Sequence, residues 1–504
     1  VLDVRTKEGD NQKFTGAAGI GLLTSHAYIE GPLKKGKTSF VLGGRTTYSN
    51  WILDRLPESS GYSGGRANFS DASLGLTHKF TRDNVVQLNA YWSTDKFAFS
   101  GDTTFRYSNL NVALKWSKKF SQKSSFEVSG GYDWYTAAVD NQFNEWDAFS
   151  LESIIRQGFL KGLVKTVAGN HTISYGAQVV PYALDRGNLL PFEGSAVVET
   201  RLGTEVAFEP SLWVADTWQL SDKIMFDYGT RLSSFYSVDA KKFYAKPEIR
   251  LSGKYSITND FSLKAGFNTM DQYLHMVSNT TTISPMNTWK LADDKLKPQN
   301  GWQASAGAYL SVARSLVDLS VEGYYKEVDN YLDYKSGATL VMNENIADAL
   351  VPTRGRAYGL ELMLKKPLGK LNGWISYTYS RTLLQEMEDR GVETINAGAW
   401  YPAAHDKPHD FKFVGNYKFT HRYSLSFNVD YSTGRPVTIP VGWYVYDGGI
   451  KLSYSDRNCY RIPDYFRMDA ALNIEPGHYL KKLTHFSVTL GVYNITGRKN
   501  AITA

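Results

Sequence analysis

The chain has 504 residues, a formal net charge of +6 and one cysteine, Cys459. This length suggests about three ordinary domains, but no linker, low-complexity tract or long charge run divides the sequence. The mild charge indicates no nucleic-acid partner, and a single cysteine excludes an intrachain disulfide. Apolar runs of about 18 residues, which would predict membrane-spanning helices, do not occur.

Short polar turns recur along the chain at intervals that leave room for two strands and one longer connection. A first strand is predicted near residues 14–22, and ten turns follow it. The turns lie at or near residues 34–37, 81–84, 121–124, 169–170, 221–223, 258–260, 313–315, 368–370, 420–422 and 475–483. Short turns at one end and long loops at the other are typical of bacterial outer-membrane barrels, whose short turns face the periplasm.

The two strands around the turn at 121–124 show the pattern most clearly. In the first strand apolar and polar residues alternate strictly, which predicts one apolar and one polar face. The apolar set is Leu110, Val112, Leu114 and Trp116, and the polar set includes Asn109, Asn111 and Lys115. We expect the apolar set to face lipid and the polar set to face the interior of a barrel.

The fold class predicted from these patterns is all-β, a transmembrane antiparallel β-barrel. Ten turns join twenty strands, and the strand at 14–22 makes twenty-one, the last near residues 486–494. Because single-chain bacterial barrels have an even number of strands, we expect about 22, of which about 21 are present, with a closing strand beyond Ala504. A barrel this wide must be plugged to prevent leakage.

Several segments resemble TonB-dependent outer-membrane receptors, in particular the branch whose full-length members begin with a carboxypeptidase-regulatory-like domain followed by a plug. The resemblance extends over essentially the whole chain. The segments are residues 1–5, 7–9, 31–33, 268–275, 278–280, 359–362, 373–380, 432–436, 460–465 and 492–494.

This resemblance implies that residues 1–13 are the end of the plug domain and that residues 14–504 are the barrel without its last strand. It implies TonB-dependent transport of a nutrient across the bacterial outer membrane, with the energy-coupling site in an N-terminal region that this sequence lacks. Implied partners are the TonB complex, lipid and lipopolysaccharide, and a surface lipoprotein is a further candidate. The alternative is a structural or assembly component of a larger outer-membrane complex that transports nothing.

Two motifs suggest other chemistry. Residues 405–410 combine histidine and aspartate, which suit transition metals, but they are better explained as a loop end entering a strand. Residues 61–65 match the nucleophile elbow of hydrolases, yet no helical pattern follows them as that motif requires. We therefore predict no enzyme activity, no metal site and no cofactor.

The candidate substrate-binding residues are aromatic and polar side chains in the predicted outer loops. Such side chains combine rigid contact area with hydrogen-bonding tips. The strongest group is the loop that follows the strand at 261–267. The candidates are Gln272, Tyr273, His275, Trp289, Trp400, Trp443 and Tyr444. Four basic residues predicted to face inward, Arg45, Arg231, Arg250 and Lys264, would either guide an anionic substrate or pair with the plug.

Overall fold

A computed structural model describes residues 6–58, 63–98, 102–277, 287–312, 316–335, 337–387, 394–446, 448–475 and 487–501. Its first strands are β1 Thr15–Ile20, β2 Thr24–Lys34, β3 Thr38–Thr47, β4 Arg66–Thr81, β5 Asn84–Ala98, β6 Thr103–Lys119, β7 Ser124–Asn141, β8 Phe149–Ala168, β9 His171–Pro191, β10 Thr200–Arg201, β11 Thr204–Gln219, β12 Ile224–Ser237, β13 Lys242–Ser256 and β14 Phe261–Gln272. The remaining strands are β15 Leu274–Val277, β16 Thr288–Leu291, β17 Gln299–Val312, β18 Val317–Tyr334, β19 Leu350–Lys366, β20 Leu371–Glu386, β21 Tyr401–Pro402, β22 His409–Lys418, β23 Tyr423–Ser432, β24 Pro436–Val437, β25 Pro440–Tyr446, β26 Gly449–Tyr454, β27 Tyr460–Arg461, β28 Tyr465–Ile474 and β29 Val488–Val492.

The described helices are short. They are the α-helices α1 Asn50–Leu53 and α2 Ile346–Ala349, and the 3₁₀ turns Glu145–Asp147 and Ile395–Gly398. In the described part of the chain no helix has the length and apolar character needed to cross a membrane.

One large antiparallel sheet contains 23 of the described strands. Two of these, β10 and β21, have only two residues each, so twenty-one full strands remain, the number predicted. Within the described residues β1 pairs only with β2, and β29 only with β28. Three two-stranded sheets, β15–β16, β24–β27 and β25–β26, lie outside the large sheet.

The short turns alternate with long connections as predicted. Each predicted turn falls between two paired strands, from β2–β3 and β4–β5 to β22–β23 and β28–β29. The turn at 313–315 and most of that at 475–483 lie outside the described residues. The extra sheets and both α-helices occur in the connections at the opposite end, which is therefore the outer end.

The predicted alternation in β6 and β7 is confirmed. Leu114 is 52% exposed on the apolar face and pairs with Leu88 and Gly130. On the other face the Nζ atom of Lys115 lies 3.9 Å from an Oε atom of Glu127. In β5, β6 and β7, residues on the same face thus pair with one another, and this part of the wall has one apolar and one polar surface.

The polar surface is the interior. The segment that precedes β1 lies against it, with Glu8 Oε2 2.9 Å from Nζ of Lys79 and Gln87 Nε2 donating to Glu8 Oε1 at 3.1 Å. Gln87 pairs directly with Lys115 across the sheet, so both belong to the polar face. Residues 1–5 lie outside the described residues, and the division into plug and barrel near residue 13 stays a prediction.

Candidate ligand-binding site

The connection between β14 and β17 folds back against the inner wall. Tyr273 anchors it there: its ring stacks on Phe235 with centroids 4.8 Å apart, and its hydroxyl donates to Ser233 Oγ at 3.0 Å. Only 3% of Tyr273 is exposed. This side chain therefore holds the loop in place.

His275 is fully buried in the same loop. Gln299 Nε2 lies 3.2 Å from His275 Nδ1, while His275 Nε2 has no hydrogen-bond partner among the described residues. Burial, reinforced by the nearby Lys290 ammonium, lowers the pKa of His275 to about 4. The imidazole is therefore neutral at ordinary pH.

A charge network ties β16 to the wall beside His275. Lys290 Nζ lies 2.9 Å from Glu205 Oε1 and 2.6 Å from Asp293 Oδ2. Arg186 Nε lies 3.0 Å from the same Glu205 oxygen. Two cations and two anions thus compensate one another, and this network fixes the loop.

Gln272 and Trp289 are the accessible candidates of this loop. Gln272 is exposed and donates from Nε2 to the Leu274 carbonyl at 2.7 Å. Trp289 is half-buried against the cluster that contains Leu184 and Phe235. These two side chains are accessible, whereas Tyr273 and His275 are buried.

Trp400 lies in the connection between β20 and β22. The Arg356 guanidinium lies over its ring, 4.1 Å from the centroid. The next residue, Tyr401, is 1% exposed and donates its hydroxyl to Asp333 Oδ2 at 2.5 Å. Burial raises the pKa of the Tyr401 phenol, and the Asp333 carboxylate raises it further.

Four residues, Asp333, Asn396, Tyr401 and Arg457, form what we call the loop clamp. Arg457 donates to Asp333 Oδ1 at 2.8 Å and to the carbonyl of Tyr334 at 2.9 Å. Asn396 exchanges hydrogen bonds with the Arg457 backbone at 2.7 and 3.0 Å. The loop clamp joins the outer end of β18 to the connections after β20 and β23.

Trp443 and Tyr444 lie on the β25–β26 hairpin, which projects from the connection after β23. They are 67% and 53% exposed. At the base of the hairpin Asn458, next to Arg457, donates its backbone N–H to Thr438 Oγ1 at 3.0 Å. The hairpin is therefore exposed, while its base is held by the hydrogen bond between Asn458 and Thr438.

The structure places all seven predicted residues at the outer end, in three groups. Gln272, Tyr273, His275 and Trp289 share one loop, Trp400 lies beside the loop clamp, and Trp443 and Tyr444 are on the hairpin. The sequence reasoning missed Asp333, Asn396 and Arg457. They are far apart in sequence, and no local pattern distinguishes them from ordinary loop residues. Among the described residues no group of three metal-binding side chains occurs.

The family model for the TonB dependent receptor-like β-barrel matches residues 5–495. No curated protein matches the chain. Among solved structures, a mutant of the ferric enterobactin receptor PfeA from Pseudomonas aeruginosa is 15% identical, with a TM-score of 0.65 over 97% of this chain and 75% of that one. The copper transporter OprC is 12% identical, with a TM-score of 0.68 over 98% and 76%. The ferric-catecholate import receptor Fiu from Escherichia coli K12 is 12% identical, with a TM-score of 0.65 over 98% and 79%.

These structures establish the fold, and the family match establishes the kind of protein. The family consists of transport receptors of the bacterial outer membrane, which work with the TonB complex, and nutrient uptake is favoured over a purely structural role. The chain belongs to the TonB-dependent receptor family and is the barrel of an outer-membrane receptor that takes up a nutrient.

Proposed function

We propose that the nutrient first binds at the outer mouth of the barrel, in contact with Gln272, Trp289, Trp400, Trp443 and Tyr444. The observation that supports this most is that buried contacts fix the loop that carries Gln272 and Trp289, and that hydrogen bonds hold the base of the hairpin that carries Trp443 and Tyr444. Rigid aromatic side chains with polar neighbours bind ligands at a low cost in conformational entropy. Tyr273 and His275 contribute by fixing the loop that presents Gln272 and Trp289.

The hairpin supports a further proposal about partners. One of its faces carries Val441, Trp443, Val445, Ile450 and Leu452, all at least half exposed. A two-stranded hairpin is only marginally stable alone, and exposed apolar patches mark interaction sites. We propose that a surface protein, such as a lipoprotein, covers this face, that lipid and lipopolysaccharide surround the apolar wall, and that the TonB complex acts through an N-terminal region.

The experiment is a depletion assay on cells that express the full-length receptor. The medium contains a ferric siderophore, cobalamin, an oligosaccharide, a peptide and haem, and the loss of each is measured with and without dissipation of the proton gradient. We expect one component to be depleted only in energised cells. The double variant Gln272→Ala with Trp289→Ala should slow that depletion about tenfold, because both contact groups are lost.

The matched control is Trp146→Ala, which removes an exposed tryptophan (69%) from a different outer loop. Depletion should continue at the normal rate in this variant. Equal depletion by the double variant and the parent receptor would show that the β14–β17 loop does not bind the nutrient.

A further inference from the structure

A groove of about 790 Å³ lies on the apolar face of the wall, across the strands from β12 to β19. Its ends are closed by Phe226 on β12 and Leu360 on β19. Its floor consists of four small residues that pair with one another from strand to strand, Gly253, Ala265, Ala306 and Gly323. We call this the wall groove.

The wall groove is on the lipid-facing side of the barrel. The side chains that flank its floor along the strands are apolar and exposed, among them Leu251, Tyr255 and Leu263. Lys264 alternates with Leu263 and therefore points to the opposite face, where its Nζ atom lies 4.3 Å from the ring centroid of Tyr309. The groove is thus part of the surface that lipid covers, outside the lumen.

Two glycines give the wall groove its depth. A Cβ atom at Gly253 would lie 3.3 Å from the Phe226 ring, and one at Gly323 would have only a backbone oxygen near it, at 3.9 Å. The backbone at neither glycine is in the left-handed region. A larger side chain would therefore be tolerated at Gly323, where it would fill the groove.

The floor rises from the periplasmic side toward the middle of the membrane. Gly253 is three residues from the inner end of β13 at Ser256, and Gly323 is six residues from the inner end of β18 at Val317. At about 3.3 Å per residue, this difference is about 10 Å along the strands. The wall groove therefore lies in the periplasmic half of the membrane, where the leaflet consists of phospholipid.

A polar cluster lies on the same face at the lower end of this row of paired residues. Beyond Phe226 the row continues to Trp218 and then to His171, the first residue of β9. The Trp218 ring is 6.2 Å from that of Phe226 and stacks on the His171 imidazole at 5.5 Å. His171 Nδ1 lies 2.6 Å from Asp216 Oδ2, which also accepts the hydroxyl of Tyr228 at 2.8 Å.

The polar cluster leaves one ring nitrogen for a ligand at the membrane interface. An ionised carboxylate only accepts hydrogen bonds, so His171 donates from Nδ1 to Asp216 and its Nε2 remains. The His171 side chain is 39% exposed. At Nε2 a neutral imidazole accepts a hydrogen bond from an ammonium, and a protonated imidazole donates one to a phosphate oxygen. A zwitterionic phospholipid headgroup carries both of these groups.

From this arrangement we propose that the wall groove binds an acyl chain of a phospholipid of the periplasmic leaflet, whose headgroup contacts His171. A chain fills such a recess because an empty one loses dispersion contacts. The floor spans three strand intervals, about 14 Å, and half the hydrocarbon core is about 15 Å thick. A second barrel fits less well, since its convex wall would touch only the rim at Phe226 and Leu360. This site is independent of nutrient binding at the outer mouth.

The test uses the full-length receptor in vesicles of phosphatidylethanolamine that contain a small fraction of the same lipid with a diazirine in one acyl chain. After illumination, labelled peptides are identified by mass spectrometry. Peptides from β13, β14, β17 and β18 should carry about fivefold more label than peptides from β8 and β9. The double variant Ala306→Leu with Gly323→Leu fills the floor and should abolish this excess. Diacylglycerol with the same diazirine should label the groove about threefold less, because it lacks the headgroup.

The matched control is Gly162→Leu with Ala177→Leu. These two residues pair on the lipid-facing side of β8 and β9. Each is six residues from the inner end of its strand, as are Ala306 and Gly323. A Cβ atom at Gly162 would meet nothing within 4 Å. Both double variants add only apolar side chains to this face, and the control should keep the excess of label in the groove.

Three results would contradict the proposal. Even labelling around the wall, or an excess that persists when leucines fill the floor, would overturn the site. Cross-links between two receptors that the groove variant abolishes would show that a second copy occupies the groove and would overturn it as well. Equal labelling by diacylglycerol would overturn the assignment of the headgroup to His171.

Discussion

The wall hairpin β6–β7 and the loop clamp are stabilised in opposite ways. In the hairpin every contact is between neighbours in a regular register, and Leu114 leaves 52% of its surface to the surrounding medium. In the loop clamp Asp333 comes from the outer end of β18, Tyr401 from the connection after β20 and Arg457 from the connection after β23, and all three are almost fully buried with polar partners. The wall is stabilised by regular strand pairing and by contact with lipid, whereas the outer mouth is stabilised by a few buried polar contacts.

The comparison shows where the receptor is sensitive to substitution. A single substitution in the wall changes the contacts of one position, and the surrounding lipid or water can adjust to the new side chain. A single change in the loop clamp leaves a buried charge without its partner, which costs much more than the interaction itself contributed. The outer mouth should therefore lose its order before the wall does.

The largest effect is expected from Arg457→Ala. It leaves the Asp333 carboxylate buried with two neutral donors, the Tyr401 hydroxyl and the Tyr334 backbone N–H, and removing one member of a buried pair costs about 3–5 kcal/mol. We expect the outer end of β18 and the connections after β20 and β23 to lose protection against hydrogen exchange together. Hydrogen exchange of these segments and the labelling rate of the exposed Cys459 should both rise.

Arg354→Ala is the control for this prediction. Arg354 lies 3.0 Å from Asp329, but both side chains are about half exposed, and such pairs contribute about 0–1 kcal/mol. Exchange and labelling should stay near those of the parent chain. An Arg457→Ala variant with unchanged exchange would show that the loop clamp does not hold the connections together.

In the wall the most disruptive single change should be Leu114→Lys. It places an ammonium on the apolar face, at a cost of about 2–4 kcal/mol near the middle of the membrane. Lys115→Leu, one residue further along, changes only the polar interior and should cost far less. Urea titration of both variants in detergent-free vesicles measures the difference. Equal stability of the two would mean that the assignment of faces is wrong.

The outer loop should weaken in acid because of His275. Its pKa is lowered from 6.5 to about 4 in the folded loop, so the unfolded loop takes up a proton first and stability falls as the pH drops through this window. Between pH 7 and pH 4.5 the loss is about 2 kcal/mol. Hydrogen exchange of β15 and β16 measures it.

His275→Gln separates this effect from titration of the neighbouring Asp293. The variant retains this carboxylate and the Lys290 ammonium but lacks the imidazole. Its loop should show a much smaller change in protection between the two pH values. A change as large as in the parent chain would assign the acid sensitivity to the carboxylate.

The sequence predicted the wall far better than the mouth. Period-two alternation and short turns are local, so they predicted the faces of Leu114 and Lys115 and the number of full strands. The loops have no such period. Tyr273 and Trp289 both appear as aromatic loop residues in the sequence, but only the packing of Tyr273 against Phe235 separates the anchor from the accessible side chain. Likewise, only the tertiary structure shows that Arg231 lies 3.3 Å from Glu209 as an ion pair.

Substitutions in the β25–β26 hairpin should have the smallest effect on stability but a clear effect on uptake of the nutrient. Trp443 and Tyr444 extend from the hairpin into solvent, and exposed substitutions of this kind change stability by about 0.5 kcal/mol or less. If the hairpin contacts the nutrient or a covering protein, the double variant Trp443→Ala with Tyr444→Ala should reduce depletion of the nutrient severalfold, since hot spots are enriched in Trp and Tyr. Phe143→Ala, which removes a still more exposed aromatic residue (78%) from another loop, is the control and should have no effect. Because the base of the hairpin is held at Thr438 and Asn458, the variant should keep its fold, and a normal uptake rate would then remove the hairpin from both binding roles.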